Sequence, residues 1–482
     1  MKQQQLNRPF LLTLLFAVTL SLLYVQGRLR AFDADITVSA ATHTISLPLV
    51  VQSVPANAPL CRFGVNAIGN LNVIDLPGLR VGWYLNYAAQ MNPVRPGGIE
   101  YMPVLVLRNY PNISLSDSQI QAVAAANPGS EWLMGNEPDR PGLNLQDNLP
   151  PHKYAEAYHY YYHLIKSADP TARIIAGNIV QPTEVRLLYL DAVLAHYQAT
   201  YSSAMPVDIW GFHNFILNEV SCDWDPTYCW GADTPTGMGI PYGEILDIDD
   251  NDRIDLFIER VYRFRQWLAD RGYAGVPVYL SEYGVLMPAD FGFPPSRVNQ
   301  FMSQTFDFVL NERSATLGNP HDDYRLVQRL SWYSDVDTEF NGALFFTNGL
   351  RTPMGNHYAA YTAAIPGQVD FYPAHIAYTQ TAGSPTTVTL TTDVANSGNL
   401  MQPISAEVQF YLGDPLAGGT PIGQPQLVQL QGCGDVAAAT AVWPNVAPGT
   451  YDIYVRVTAP FGVAETNTAN NTTMAQIVIT TP

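Results

Sequence analysis

Short apolar runs with the composition of β-strands alternate with amphipathic helical stretches from about residue 60 to residue 366. This alternation predicts a parallel sheet covered by helices, because parallel strands need long crossover connections. Eight strand candidates in roughly 300 residues match an α/β fold of the (β/α)8 or TIM-barrel type. An open doubly wound sheet would place a Gly-rich turn after its first strand, and FGVNAIGNLN lacks that turn. The candidates begin at Cys61, Gly78, Tyr101, Ser130, Arg173, Val207, Val276 and Val327.

The pattern changes at about residue 367. Segments such as TTVTLTTDVANS and GTYDIYVRVTA alternate apolar with polar residues, and turn residues separate them. Such alternation is typical of strands with one buried face, so residues 367–482 are predicted to form an immunoglobulin-like, all-β sandwich. Residues 31–59 are rich in proline and small residues near their end and are predicted to be an extended linker.

The N-terminus has the residue pattern of an export signal. Lys2 and Arg8 precede an apolar run over residues 10–25, which predicts that residues 1–30 are either a cleaved signal peptide or an uncleaved membrane anchor. The protein is therefore expected to be secreted or extracellular, with a membrane tether if the segment is retained. In an exported chain, Cys222 and Cys229 would form a local disulfide; two free thiols are the alternative.

The charge limits the partners. A formal net charge of −18 disfavours nucleic acid and anionic lipid and is compatible with a neutral carbohydrate substrate. No CxxC pair or HExxH motif is present, so neither a metal nor another cofactor is predicted.

Reactive groups of such barrels lie at the carboxyl ends of strands. The fourth strand candidate leads into Glu137, and the seventh leads into Glu282. Three strand-and-helix units separate the two residues, which places them on opposite sides of the barrel mouth. Burial in an apolar cleft is expected to raise the pKa of Glu137. Two carboxyl groups facing each other are the equipment for glycoside hydrolysis.

Asn136-Glu137-Pro138 at the end of strand four, with Glu282 at the end of strand seven, resembles glycoside hydrolase clan A, in a family 5- or 39-like form. The resemblance implies that Glu137 is the acid/base, that Glu282 is the nucleophile and that Asn136 binds a sugar hydroxyl. It also implies a retaining mechanism through a covalent intermediate.

Supporting residues follow from the same comparison. Arg80, placed at strand two, resembles the arginine that braces the nucleophile in several clan A families; a structural ion pair is the alternative. His213 and Asn214 end strand six, where family 5 often has His-x-Tyr, and this chain has Phe215 at the tyrosine position.

Two aromatic residues complete the expected site. Tyr283 directly follows Glu282 and would supply a phenol that keeps this carboxylate ionised. Trp332 ends strand eight and would form a floor on which a sugar ring stacks, with a buried core residue as the alternative.

The sequence thus predicts a glycosidase that acts on a β-linked poly- or oligosaccharide. The alternative is a catalytically silent cell-surface protein that binds glycans or acts in adhesion. The C-terminal segment around Asn396-Ser-Gly398 resembles CARDB-type immunoglobulin-like domains, which favours a spacer or a packing role for this part of the chain.

Overall fold

The computed structural model describes residues 55–142, 146–381 and 386–480. The predicted signal or anchor (1–30) and most of the predicted linker (31–59) lie outside these residues. Within the described part of the chain, no helix has the length and apolar character needed to cross a membrane.

Nine parallel strands form one curled sheet in the order β3-β2-β1-β9-β8-β7-β6-β5-β4. The third predicted strand is divided into β3 and β4 around Met102 and Pro103, and proline has no N–H to donate to a ladder. β3 pairs with β2 and β4 pairs with β5, so the first and last strands of the order are neighbours in the chain. The strands are β1 Leu60–Asn66, β2 Val81–Leu85, β3 Glu100–Tyr101, β4 Val104–Leu105, β5 Glu131–Met134, β6 Arg173–Ile179, β7 Ile209–His213, β8 Val278–Tyr283 and β9 Arg329–Trp332.

Helices connect the strands from β4 onwards and bury their apolar faces against the sheet. The first helix begins with a capping box, in which the Ser116 side chain accepts from the Gln119 N–H and the Gln119 side chain accepts from the Ser116 N–H. The connections before β2 and before β3 hold short 3₁₀ turns. The helices are α1 Asp117–Ala126, α2 Pro151–Ala168, α3 Glu184–Tyr201, α4 Ile254–Asp270, α5 Pro295–Asn311 and α6 Pro353–Ala363.

Eight further strands build two antiparallel sheets with a core of their own. In β12 exposure alternates along most of the strand, as expected for a strand with one face in a core. One sheet has the order β10-β12-β11 with β15 also paired to β12, and the other has the order β14-β13-β16-β17. The strands are β10 Phe371–Pro373, β11 Ala377–Gln380, β12 Thr386–Asn396, β13 Ile404–Leu412, β14 Thr420–Leu430, β15 Asp435–Val446, β16 Gly449–Thr458 and β17 Thr472–Ile479.

The antiparallel part is fastened to the beginning of β1. Cys61 forms a disulfide with Cys433, which just precedes β15. Next to it, the buried Arg62 guanidinium makes two hydrogen bonds to Asp322 and donates to the Ser397 carbonyl at 3.0 Å. A buried guanidinium is tolerated only when its N–H groups are hydrogen-bonded. The contacts of Arg62 therefore constrain how the segment around Ser397 lies against β1. The attachment lies at the amino end of β1, away from the carboxyl ends of the strands.

Removal of the Cys61–Cys433 disulfide should lower the free energy of unfolding by about 2–5 kcal/mol, because the crosslink constrains a long stretch of unfolded chain. Its cysteines are 372 positions apart, whereas Cys222 and Cys229 also form a disulfide but are 7 apart. Chemical unfolding of the Cys61→Ala/Cys433→Ala variant and of the matched Cys222→Ala/Cys229→Ala variant should show the larger loss in the first. An equal or reversed order would contradict this account.

Candidate active site

Glu137 lies three residues beyond the end of β5, on a backbone in an uncommon conformation. Its φ of 44° is in the left-handed region, and Gly135 before it has a φ of 88°. For a non-glycine residue this conformation costs on the order of 1–3 kcal/mol, so surrounding contacts must enforce it. The Glu137 N–H donates to the Asn178 carbonyl at 3.1 Å, and the Asn136 N–H donates to Asp147 Oδ2 at 2.7 Å. The side chain of Glu137 is thereby fixed at the carboxyl end of the sheet, where it is buried.

Glu282 is presented by β8 and is also buried. The pairing of β7 with β8 shifts register after Phe212, and the shift brings His213 opposite Glu282. A shift of this kind re-aims a side chain that regular pairing would direct elsewhere.

His213 joins the two carboxylates. Its Nδ1 lies 3.3 Å from Glu137 Oε1, and its Nε2 lies 3.4 Å from Glu282 Oε1. One oxygen of each carboxylate and one ring nitrogen all lie within 4.8 Å of one another. The fold therefore brings Glu137, Glu282 and His213 into one buried cluster.

Arg140 reverses the pKa shift that the sequence predicted for Glu137. Burial alone would raise the pKa of this carboxyl, but Arg140 and His213 outweigh burial and lower it to about 2. Arg140 Nη1 donates to Glu137 Oε2 at 3.1 Å, and Arg140 Nη2 donates to the Gly231 carbonyl at 2.8 Å. The prediction of a raised pKa was wrong because the cation three residues downstream was not considered.

Glu282 shows the opposite shift. Burial raises its pKa to about 7, and the Glu137 charge acts in the same direction, while His213 and Tyr87 oppose both. The two carboxylates in turn raise the pKa of His213, although burial by itself lowers it. Glu137 is thus the ionised carboxylate and Glu282 the one that holds a proton near neutral pH, the reverse of the predicted order.

Sequence reasoning missed two tyrosines that face this cluster. The Tyr87 hydroxyl donates to Asn66 Oδ1 at 2.7 Å, and burial together with the Glu282 charge raises the pKa of Tyr87. Burial, with Glu282 and Glu137, also raises the pKa of Tyr333. Tyr333 is half-buried and its ring is 5.7 Å from that of Phe215. Both tyrosines follow a predicted strand, and that position is the signal that could have identified them.

Three predicted residues point away from the cluster. Tyr283 follows Glu282 in the strand and therefore faces the opposite side of the sheet, where its ring packs on Trp332. Trp332 is fully buried and its Nε1 donates to the Gly342 carbonyl, so it is a core residue. Arg80 precedes β2 and donates to the carbonyls of Thr362 and Ile365, so it belongs to the amino end of the sheet.

Two predicted asparagines have other contacts. Asn214 follows β7, and its Nδ2 donates to the Phe257 carbonyl of α4, which directs the side chain away from the carboxylates. Asn136 is buried beside Glu137, and its backbone position is fixed by Asp147.

Glu137, His213 and Glu282 are close enough together to hold one divalent cation. Among the described residues, no other cluster of His, Cys, Asp and Glu side chains has this spacing. Arg140 contacts one carboxylate, and each nitrogen of His213 faces one carboxylate. Side chains thus already supply positive charge where such an ion would bind.

No protein-family model matches the chain, and no curated protein matches it. Solved structures with some similarity include a GH128 (subgroup VII) oligosaccharide-binding protein from Trichoderma gamsii, with 11% identity and a TM-score of 0.38 over 64% of this chain and 97% of that one. A GH5_18 protein from Streptomyces cattleya, in complex with GlcNAc, has 13% identity and a TM-score of 0.38 over 63% of this chain and 80% of that one.

The C-terminal part is similar to a CARDB domain from Pyrococcus furiosus, with 21% identity and a TM-score of 0.20 over 23% of this chain and 90% of that domain. Because all these identities and scores are low, we take the function from the geometry of the site.

Replacement of Arg140 by methionine keeps much of the side-chain volume and removes the cation, so the pKa of Glu137 should rise by about 1–3 units. The chemical shifts of ¹³C-labelled glutamate carboxyl groups, followed against pH, report this value directly. The matched Arg108→Met change removes a cation with no hydrogen bond to either carboxylate among the described residues and should leave the titration unchanged. The account fails if Arg140→Met leaves the low pKa in place.

Proposed function

We propose that this chain is a glycoside hydrolase that cleaves O-glycosidic bonds of a β-linked poly- or oligosaccharide with retention of anomeric configuration. The supporting observation is the meeting of Glu137 and Glu282, since one oxygen of each carboxylate lies within 4.8 Å of one oxygen of the other. Retaining glycosidases hold their two carboxyl groups about 5–5.5 Å apart, and inverting enzymes hold them about 6.5–9.5 Å apart. The spacing therefore supports the retaining mechanism.

In this mechanism a Glu282 oxygen attacks the anomeric carbon while Glu137 gives its proton to the departing glycosidic oxygen. One C–O bond breaks as the ester bond to Glu282 forms. Glu137 then takes a proton from water, whose oxygen attacks the same carbon and releases Glu282. No cofactor takes part in either step.

The reaction needs the proton on Glu137 and a negative charge on Glu282. The pair titrates as a unit and holds one proton between pKa values of about 2 and about 7. The ion pair with Arg140 keeps this proton off Glu137. A sugar that displaces Arg140 from Glu137 raises the pKa of Glu137 and moves the proton to the residue that donates it.

The neighbouring residues have supporting roles in this proposal. His213 fixes both carboxylates, and Tyr87 stabilises the charge on Glu282. Tyr333 takes the role first expected of Trp332 and stacks on the sugar ring. Asn136 remains the candidate for binding a sugar hydroxyl beside the cleaved bond.

We also propose that the curled sheet is a (β/α)8 barrel in which residues 100–105 act as one strand interrupted at Pro103. Support comes from the pairing of this segment with β2 on one side and β5 on the other. In this view the barrel spans residues 60–366, and residues 367–482 form a CARDB-type module that packs at the end opposite the site.

Secretion is part of the same proposal. Both cysteine pairs are disulfides, which persist in oxidising compartments, and this supports the export signal predicted over residues 1–30.

A specific observation keeps the silent glycan-binding protein as the second candidate. The ion pair between Arg140 and Glu137 keeps Glu137 ionised, so that Glu137 has no proton to donate while the pair persists. If no sugar displaces Arg140, the cluster binds a glycan and does not cleave it. Activity measurements on the variants below separate the two functions.

Replacement of Glu282 by alanine should abolish hydrolysis of an activated aryl glycoside, because the nucleophile is lost. Added azide should restore turnover and give a glycosyl azide of inverted configuration, because a small anion fits the space that the carboxylate leaves. The measurement is release of the aryl alcohol, with product configuration determined by NMR.

Glu339→Ala is the matched control, since Glu339 is exposed near Tyr333 and lies outside the buried cluster. It should retain full activity, and a chelator should leave wild-type turnover unchanged. Retained turnover in Glu282→Ala removes Glu282 from the mechanism.

Replacement of Glu137 by glutamine should reduce turnover of poor leaving groups by about 10²–10⁴-fold, because these need general-acid assistance. Aryl glycosides with very acidic leaving groups need little assistance in the first step and should lose much less. The check is a series of aryl glycosides of graded leaving-group pKa. Equal losses across the series would exclude the acid role.

The pH profile of kcat/KM should be bell-shaped, with its maximum below pH 7. Activity should fall above about pH 7, where the pair loses its single proton, and should persist well below pH 5, because the second proton binds only near a pKa of about 2. A profile with its maximum above pH 8 would contradict the assignment.

A further inference from the structure

Large aromatic side chains are exposed together on one loop. We call residues 217–247, which follow β7, the rim loop, and we call Trp224, Tyr228 and Tyr242 the aromatic patch. These side chains are 66%, 60% and 45% exposed. All eight tryptophans of the chain lie in the described residues, and Trp224 alone is exposed. Trp224 and Tyr242 contact each other, and contiguous exposed apolar surface of this kind marks binding sites.

The aromatic patch is held in place. The disulfide between Cys222 and Cys229 closes the turn that carries Trp224, and the Trp224 N–H donates to the Ser221 carbonyl at 3.0 Å. The rings of Trp224 and Tyr242 lie edge to face with centroids 6.5 Å apart. A preformed surface loses little conformational entropy when a ligand binds to it.

The rim loop is attached to the carboxylate cluster. The Gly231 carbonyl accepts from Arg140, which also contacts Glu137. Five residues further along the loop, the Thr236 N–H donates to the Asp139 carbonyl at 2.8 Å. The aromatic patch thus belongs to a loop that shares a hydrogen-bonded arginine with the reacting groups.

A buried arginine strengthens this attachment. Arg186 forms ion pairs with Asp139, two residues after Glu137, and with Glu219 of the rim loop. It also donates to the Ala232 carbonyl at 2.9 Å. Buried ion pairs and hydrogen bonds therefore tie the rim loop to the backbone around Glu137.

The charge of the rim loop limits the ligand. No lysine or arginine occurs between residues 214 and 252, and Asp223 and Asp225 flank Trp224. Carboxylates repel uronates, sulfated glycans, nucleic acids and anionic lipids, and they accept hydrogen bonds from hydroxyl groups. Aromatic faces next to carboxylates suit the apolar faces and hydroxyl rims of uncharged sugars.

We infer that the aromatic patch is an outer subsite that binds a neutral polysaccharide as the chain leaves the carboxylate cluster. The inference rests on the proposed hydrolase function. It extends that function by naming the substrate class, which is a long neutral glycan chain that occupies both the cluster and the patch. The patch contributes binding to long substrates and nothing to the cleavage of an aryl monosaccharide.

The test is the Trp224→Ala variant with two substrates of the same sugar, an aryl monosaccharide glycoside and a soluble neutral polysaccharide drawn from β-glucan, β-mannan and β-xylan. KM for the polysaccharide should rise at least tenfold, and kcat/KM for the aryl glycoside should stay within twofold of the wild type. Phe461→Ala is the matched control, because Phe461 is 70% exposed on the antiparallel part, and it should change neither value. An unchanged KM for the polysaccharide in Trp224→Ala overturns the inference. A change in the oligomeric state of this variant without a change in KM also overturns it, because the patch would then be a contact between copies of the chain.

Binding by the Glu282→Ala variant separates the inference from the proposed function. In native gels that each contain one of the three polysaccharides, at least one polysaccharide should slow the migration of the Glu282→Ala variant. The Glu282→Ala/Trp224→Ala double variant should migrate without this retardation. If the wild type hydrolyses nothing while this retardation depends on Trp224, the hydrolase proposal fails and the glycan-binding patch stands. Absence of retardation by all three polysaccharides overturns the patch.

Discussion

The contact of His213 with both Glu137 and Glu282 is the constraint on which the site depends. This contact requires the carboxyl ends of β5, β7 and β8 to bring their side chains to the same level of the sheet. The register shift after Phe212 and the positive φ of Glu137 are the local adjustments that allow it. Burial of three titratable groups without pairing would be unfavourable, and each of the three lies within 4 Å of an oppositely charged group. The same enclosure separates the two carboxyl pKa values to about 2 and about 7.

The chain assigns different tasks to the two ends of its parallel sheet. At the carboxyl end, Arg140 and Arg186 hold the rim loop against the backbone around Glu137. At the amino end, the Cys61–Cys433 disulfide and the hydrogen bond from Arg62 to the Ser397 carbonyl hold the antiparallel part. The antiparallel part is thus attached at the end of the sheet opposite the carboxylate cluster.

The sequence predicted most of the fold because the required information is local. Eight apolar strand candidates appear where they were expected, with one of them divided at Pro103, and helices follow from β4 onwards. The connections before β2 and β3 hold only short 3₁₀ turns in place of the expected helices. Glu137, His213 and Glu282 were also identified, since each ends an apolar run. Tyr283 was misplaced because neighbouring residues of a strand face opposite sides of the sheet, so Tyr283 cannot share the side of Glu282. Trp332 was misplaced because composition does not reveal which side of the sheet a strand-end residue faces.

The electrostatic state of the site was beyond sequence reasoning for a related reason. Arg140 lies three positions after Glu137 in the sequence, but its side chain points to Glu137 because the Gly231 carbonyl of a distant loop accepts from its other nitrogen. Tyr87 reaches the cluster from β2 through Asn66. Contacts of this kind arise from loop geometry, which no local pattern encodes.

The central claim is that two carboxylates act successively on one anomeric carbon. The most direct test is the anomeric configuration of the first-formed product, followed by ¹H NMR before mutarotation. The account predicts that the sugar released from a β-glycoside appears first as the β-anomer, as two successive displacements require. Initial release of the α-anomer would mean a single displacement by water and would contradict it.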